Sequence, residues 1–242
     1  GAGALAEDAL AWPENLPAAT PEAERDGRFP LFVLDADGAP GTIIMGAPYH
    51  WTLRARIEGR AAHAGVEPEE GVSAIQIAAA AVVAMPLGRI DECTTANVGR
   101  IEGGVAVNIV PAVVTLMGEC RSLYEDRVLA QRDAMTRALE EAAARFGGQV
   151  EVAWGLDYPA VMHEPGAIVA HLEAAAATCG LESRHATSGG GADANILGTK
   201  GADAITLGIG MTNFHSVDEY IEVADLQNMA RYVEAIIAEY AG

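Results

Sequence analysis

From residue 49 onward, apolar and polar positions fall into two alternating rhythms. "HWTLRARIEG" (50–59) puts Trp51, Leu53, Ala55 and Ile57 on one side and polar residues on the other. That is the period of a strand with one solvated face. "EEGVSAIQIAAAAVVAM" (69–85) repeats its apolar positions at helical spacing, with acids at its start where the helix dipole favours them. "TTANVGRIEGG" (94–104) is β-branched and ends in Gly-Gly, and "AVVTLMGECRS" (112–122) alternates again. "YEDRVLAQRDAMTRALEEAAARFG" (124–147) is an amphipathic helix closed by glycine, and "QVEVAWGLDY" (149–158) is one more alternating strand. The predicted order is β-α-β-β-α-β, the ferredoxin-like split βαβ pattern.

The flanks read differently. Residues 1–28 are rich in Ala, Glu and Pro, with a helix expected over 3–11 and a polar loop over 12–28. "PLFVLDADG" (30–38) predicts a buried strand that turns at its Asp-Gly end. After Pro159 a helix is expected over 165–179 and a short strand over 181–186. The glycine loop "TSGGGADANILGTKG" then feeds a short helix, "ADAITLGIG" is a buried strand, "MTNFHSVDEYI" a loop, and 224–240 a closing helix. The fold class expected is therefore α/β, with a ferredoxin-like unit (49–158) inserted into a domain formed by 1–48 and 159–242.

Composition narrows the partners. A formal charge of −19 over 242 residues argues against nucleic acid and anionic membrane. The longest apolar run, around "IQIAAAAVVAM", is shorter than the roughly 20 residues a membrane helix needs. Cys93, Cys120 and Cys179 are far apart, which suggests buried thiols in a reducing compartment, the cytoplasm.

Six polar residues stand out. Asp35 closes a strand of an α/β domain, where ligand groups collect, although a turn-forming aspartate fits as well. Asp193 lies in "SGGGADAN", whose backbone N–H groups suit an anion and where Asp193 suits a helix cap; a tight turn fits equally. His63, among small residues in "GRAAHAG", is placed to donate to an oxyanion, or is a loop histidine. Asn108 and Arg121 bracket a strand. Arginine suits a carboxylate, and a sheet-edge arginine with a turn asparagine is the plainer alternative. His215 stands alone in its loop, and the other histidines form no spaced cluster.

Taken in order, "FVLDADG", "GAPYHWTLRARIEGRAAHAGVEPEEGVSAIQIAA", "LGRIDECTTANVGRIEGGVAVNIVP", "GECRSL", "SGGGADANIL" and "GIGMTNFHSVDEYIEVADL" resemble the peptidase T-like branch of the zinc exopeptidases. That superfamily also holds carboxypeptidase G, acetylornithine deacetylase and succinyl-diaminopimelate desuccinylase. The resemblance runs from about residue 30 to the end of the chain. It implies an α/β zinc-peptidase domain with an inserted lid or dimerisation domain, a homodimer, and a site for two Zn²⁺. By the same resemblance Asp35 and His215 are terminal ligands of different zincs. His63 is the lid histidine that reaches the reacting carbonyl, in many members from the partner subunit. Asn108 lies near substrate, and Arg121 binds a substrate carboxylate. Asp193 belongs to the Gly-Gly-Ser/Thr-Asp loop, in which Ala192 here replaces the hydroxyl residue.

The resemblance also implies what is missing. Its members carry a His-x-Asp pair, a bridging aspartate and a Glu-Glu pair upstream of the strand that holds Asp35. Here the first histidine is His50, and Glu7, Glu14, Glu22 and Glu24 are single acids. The function expected is hydrolysis of short peptides by a zinc aminopeptidase whose N-terminal catalytic portion this chain lacks, with little activity alone. A related N-acyl-amino-acid amidase, and a non-catalytic dimerisation protein, are the alternatives.

Overall fold

The computed structural model describes residues 30–241. The helix and loop expected over 1–28, with Glu7, Glu14, Glu22 and Glu24, lie outside the described residues. Contacts gather the chain into two compact units: Tyr49–Tyr158 is one, and the stretches up to Pro48 and from Pro159 form the other.

The unit Tyr49–Tyr158 contains β3 (Tyr49–Glu58), α1 (Ala74–Ala84), β4 (Gly88–Arg89), β5 (Thr94–Gly103), β6 (Val113–Ser122), α2 (Glu125–Phe146) and β7 (Gln149–Tyr158). Its sheet runs β4-β5-β6-β3-β7, with every pairing antiparallel. Apart from the two-residue β4, this is the β-α-β-β-α-β order expected from the spacing. Period-2 alternation explains the packing. Leu53, Ala55 and Ile57 of β3 and Val114, Leu116 and Cys120 of β6 are buried with Ile77, Ala81, Met135 and Leu139 of the two helices. The alternate residues His50, Thr52, Arg54, Glu119 and Arg121 therefore occupy the opposite, helix-free face. A left-handed Gly147 (φ 73°) closes α2, as glycine after a helix does.

The flanking unit holds β1 (Pro30–Asp37), β2 (Thr42–Ala47), β8 (Val161–Met162), α3 (Ala167–Thr178), β9 (Arg184–Thr187), α4 (Asp193–Thr199), β10 (Asp203–Thr212), β11 (Tyr220–Ile221) and α5 (Val223–Ala241). Its sheet runs β1-β10-β2-β8, with β11 beside β10 and β9 beside β2. Ile43, Leu172, Ile205, Leu207, Tyr232 and Ile236 form its core, and the Tyr232 hydroxyl donates to the Leu172 carbonyl at 3.0 Å. Among the described residues no helix is long and apolar enough to cross a membrane.

Several expectations need correction. The helix predicted from Glu69 begins only at Ala74. Ser73 caps it, accepting from the Gln76 N–H, and Glu69 and Glu70 sit in a short 3-10 turn before it. The strand carrying Asp35 is half-buried, with Leu34 and Asp35 exposed, because among the described strands β1 pairs only with β10. Arg121 is not at a sheet edge, since β6 is flanked by β5 and β3. The loop over 211–221 is a hairpin, with Met211 and Thr212 of β10 paired to Ile221 and Tyr220 of β11. Of the three thiols only Cys120 is fully buried, and burial pushes it up to about 12; Cys93 and Cys179 are partly accessible. β4, β8 and β11, two residues each, are too short to show a period, and β2 is buried at nearly every residue and so has no alternation to show.

Candidate functional site

Asp35 lies on β1, and His215 lies in the loop that follows β10. β1 and β10 run side by side, so both residues lie toward the same, C-terminal, end of the sheet. The ladder slips between Leu34 and Ala36, which leaves Asp35 as an unpaired residue of a bulge. Bulges re-aim side chains in this way. Two glycines bring the segments together. A Cβ on Gly208 would lie 2.7 Å from the Gly38 carbonyl oxygen, and one on Gly210 (φ 84°) 2.6 Å from the Asp225 carboxylate. The Gly210 N–H in turn donates to the Gly38 carbonyl at 2.7 Å.

The hairpin loop holds His215 in an uncommon backbone state. Asn213 (φ 55°) and His215 (φ 62°) are both left-handed without being glycine, at a cost on the order of 1 kcal/mol each. Local bonds offset that cost. The His215 N–H donates to Glu219 Oε2 at 2.7 Å, and Ser216 Oγ donates to the Asn213 carbonyl at 2.6 Å. Asp35 and His215 are only two donors, both exposed. Among the described residues no group of three or more His, Cys, Asp or Glu is placed to hold a metal ion. A closed zinc site needs three or four protein ligands, so the described residues alone do not fit one.

His63 and Asn108 are brought together in the other unit. The Ala64 N–H donates to the Asn108 carbonyl and the Val110 N–H to the Ala62 carbonyl, each at 2.9 Å. His63 pairs with Ile109 as an antiparallel bridge. His63, Asn108, Val105 and Val107 all face solvent, and the Gly65 N–H donates to His63 Nδ1 at 3.2 Å.

Arg121 is not with them. It pairs with His50 at one end of the β3–β6 ladder, whereas the His63 loop starts beyond Glu58 and Val113 at the other. The eight register steps between correspond to roughly 25 Å of strand. Around Arg121 lies a polar cluster that no local sequence pattern announces. Glu119 Oε2 lies 2.5 Å from His50 Nε2 and 2.8 Å from Arg121 Nη2. The hydrogen bond from His50, then Arg121, hold the Glu119 carboxyl down at about 2.

Asp193 does not cap its helix. It is the first residue of α4, and Ala192 occupies the cap position. The role passes to Asn195, whose Oδ1 accepts from the Ala192 N–H at 3.0 Å while Nδ2 donates to the Pro159 and Pro48 carbonyls at 2.8 and 3.4 Å. Asn195 is fully buried at the third helical position, but with alanine at the cap and asparagine there the Ser/Thr-x-x-Glu/Gln signature is absent from the sequence. The glycine loop follows β9, which runs opposite to β1 and β10. It therefore lies about 15 Å along the sheet from the level of Asp35.

Residues 47–146 match the family described as "Peptidase dimerisation domain". The Bacillus subtilis protein YqjE is 46% identical over 87% of this chain and 57% of its own length. The crystal structure of aminopeptidase PepT from Bacillus cereus superposes with a TM-score of 0.83 at 39% identity, covering 100% of this chain and 61% of that one. A tripeptidase structure from Staphylococcus aureus gives 0.83 at 37% identity, covering 91% and 59%. The chain thus spans about three fifths of the length of the proteins it matches.

Proposed function

We propose, from the match of residues 47–146 to the family described as a peptidase dimerisation domain, that the whole protein is a cytoplasmic, zinc-dependent peptidase of short peptides that works as a homodimer. Tyr49–Tyr158 serves as its lid and dimerisation domain, and 1–48 with 159–242 belong to the catalytic domain. The likeness to an aminopeptidase and a tripeptidase at 37–39% identity supports the substrate class.

The separation of His63 and Asn108 from Arg121 carries the reading. A short peptide cannot touch both ends of a ladder that puts roughly 25 Å of strand between them. Two copies solve this, with His63 and Asn108 reaching the partner's substrate while Arg121 serves its own. His63 donates to the oxyanion that forms at the scissile carbonyl, Asn108 steadies the same end of the substrate, and Arg121 pairs with its carboxylate. Asp35 and His215 would each give one ligand to a metal site, and a metal held there would supply a Lewis acid for hydrolysis. The remaining ligands and the base come from outside the described residues.

Comparing tripeptides with N-acetyl and N-succinyl amino acids on the whole protein tests the substrate class. Tripeptides are expected to be preferred at least tenfold in kcat/KM, about 1.4 kcal/mol, and a preference for the N-acyl compounds would replace this reading with a deacylase. The 242-residue chain alone is expected to bind less than one Zn²⁺ and to turn over little; two tight zincs per chain would refute the incomplete ligand set.

A surface that would suit a second copy lies on α1 and β5. α1 is apolar on its outer side as well, with Ile75 and Val83 exposed. From Asn97 onward β5 has no neighbour on its outer edge among the described strands, and Ile101 there is exposed. An apolar helix beside an open strand is what an isologous interface needs. Ile75→Glu with Val83→Glu is expected to leave the fold intact and shift sedimentation from dimer to monomer. An unchanged dimer would place the interface elsewhere.

A further inference from the structure

We infer that Glu119, itself held by His50, is the positioning residue that fixes the guanidinium of Arg121 as a carboxylate anchor. This rests on the role proposed for Arg121. The argument begins with register. His50 of β3 is directly opposite Arg121 of β6 and Tyr158 of β7, and Thr52 is opposite Glu119. Side-chain alternation sends His50, Thr52, Glu119 and Arg121 to the helix-free face, where they meet.

Their contacts form one chain of bonds. A single carboxylate oxygen, Glu119 Oε2, accepts from Arg121 Nη2 at 2.8 Å and Nε at 3.2 Å. Two donors from one edge of a planar guanidinium, converging on one atom, set the plane as well as the position. The same oxygen accepts from His50 Nε2 at 2.5 Å. His50 Nδ1 in turn faces Asp157 Oδ2 at 3.3 Å, and Asp157 accepts from Thr52 Oγ1 at 2.5 Å. Tyr158 supports from the third strand, its hydroxyl 3.5 Å from Arg121 Nη1 and its ring 5.2 Å from the His50 ring. Glu119, Asp157, Arg121 and Tyr158 are thus the charged and titratable groups that face His50.

Orientation is what such a cluster supplies. Partly exposed ion pairs add little to stability, and those of Glu119 are partly exposed. An arginine already fixed in its binding geometry, by contrast, loses less freedom when a ligand arrives. The clamp also survives across neutral pH. A glutamate whose carboxyl is depressed from about 4.5 to about 2 contributes stability that is present above its unfolded value. That contribution is lost as pH falls from about 4.5 through about 2.

Two readouts test the inference. The first is the Arg121 Nε–H signal in ¹⁵N–¹H spectra of the 242-residue chain. It is expected to be sharp and slow to exchange in the wild type, and to broaden or vanish in Glu119→Gln and, less fully, in His50→Gln. The second is calorimetric binding of triglycine and its C-terminal amide to the whole protein. Glu119→Gln is expected to cut the preference for the free carboxylate about tenfold with melting temperature little changed. An unaltered Nε–H signal in Glu119→Gln would overturn the positioning role, as would an unaltered carboxylate preference. If neither peptide binds the wild type, the proposed function of Arg121 fails, and the Nε–H signal still decides whether Glu119 holds it.

Discussion

Mixing subunits that carry His63→Ala with subunits that carry Arg121→Met is expected to restore about a quarter of wild-type turnover, although each variant alone is nearly inactive. Loss of one oxyanion donor lowers kcat by roughly 10²–10³-fold, and loss of the carboxylate anchor leaves the peptide misplaced. Neither defect is a folding defect, because His63 is an exposed loop residue and Arg121 lies on the helix-free face. Rescue follows from their separation along the β3–β6 ladder. In a mixed dimer one site takes an intact Arg121 from its own subunit and an intact His63 from its partner, and the other site takes neither. Random reassortment makes about half the dimers mixed, and half the sites in those are whole, which gives about a quarter. Tripeptide hydrolysis after co-refolding measures it. A mixture no more active than its components would show that one copy supplies both residues, and the trans arrangement would be wrong.

The second large effect is expected from a single methyl group at Gly59. This residue closes β3, immediately before the His63 loop. A Cβ there would lie 2.0 Å from the Val72 carbonyl oxygen, 2.9 Å from its carbon and 3.1 Å from the Ala74 nitrogen. All three are backbone atoms, so no rotamer change relieves the collision. The same carbonyl accepts from the Arg60 N–H at 2.9 Å, and the Val72 N–H returns a bond to the Arg60 carbonyl. Gly59→Ala must therefore part the strand end from the segment that leads into α1. A cost of about 3 kcal/mol is expected, equivalent to a fall of roughly 10 °C or more in the melting temperature of this unit. Gly155→Ala is the control, since nothing lies within 4 Å of its would-be Cβ. It should stay within about 0.5 kcal/mol of wild type. Equal melting temperatures for the two variants would mean that the close approach of Gly59 to Val72 is not maintained in solution.

How far the site was legible depended on what each residue's signal was made of. The inserted unit was readable because β3, β6, β7 and α2 are long, and their burial follows a simple period. Leu53, Ala55 and Ile57 announce both a strand and its buried face. Motif order singles out His63, Asn108, Arg121, Asp35, Asp193 and His215, and residue type suggests their chemistry. The cap of α4 was misassigned because aspartate is a common capping residue, and only the fold shows Asn195 reaching back to Ala192 and out to Pro48 and Pro159. The His50–Glu119–Asp157 cluster gave no local signal at all. Its members are 38 or more positions apart in sequence, and each is unremarkable on a solvated strand face.

The sequence by itself therefore determined the elements, the face each strand buries and the residues able to do chemistry, because periodicity and residue type are local properties. The tertiary structure alone decided which of those residues meet. Strand register set His50 against Arg121 and put the His63 loop at the far end of the same ladder. Parallel pairing of β1 with β10 put Asp35 and His215 at one end of a sheet. Register and pairing are settled by contacts between segments far apart in the chain, and no window of neighbouring residues contains them.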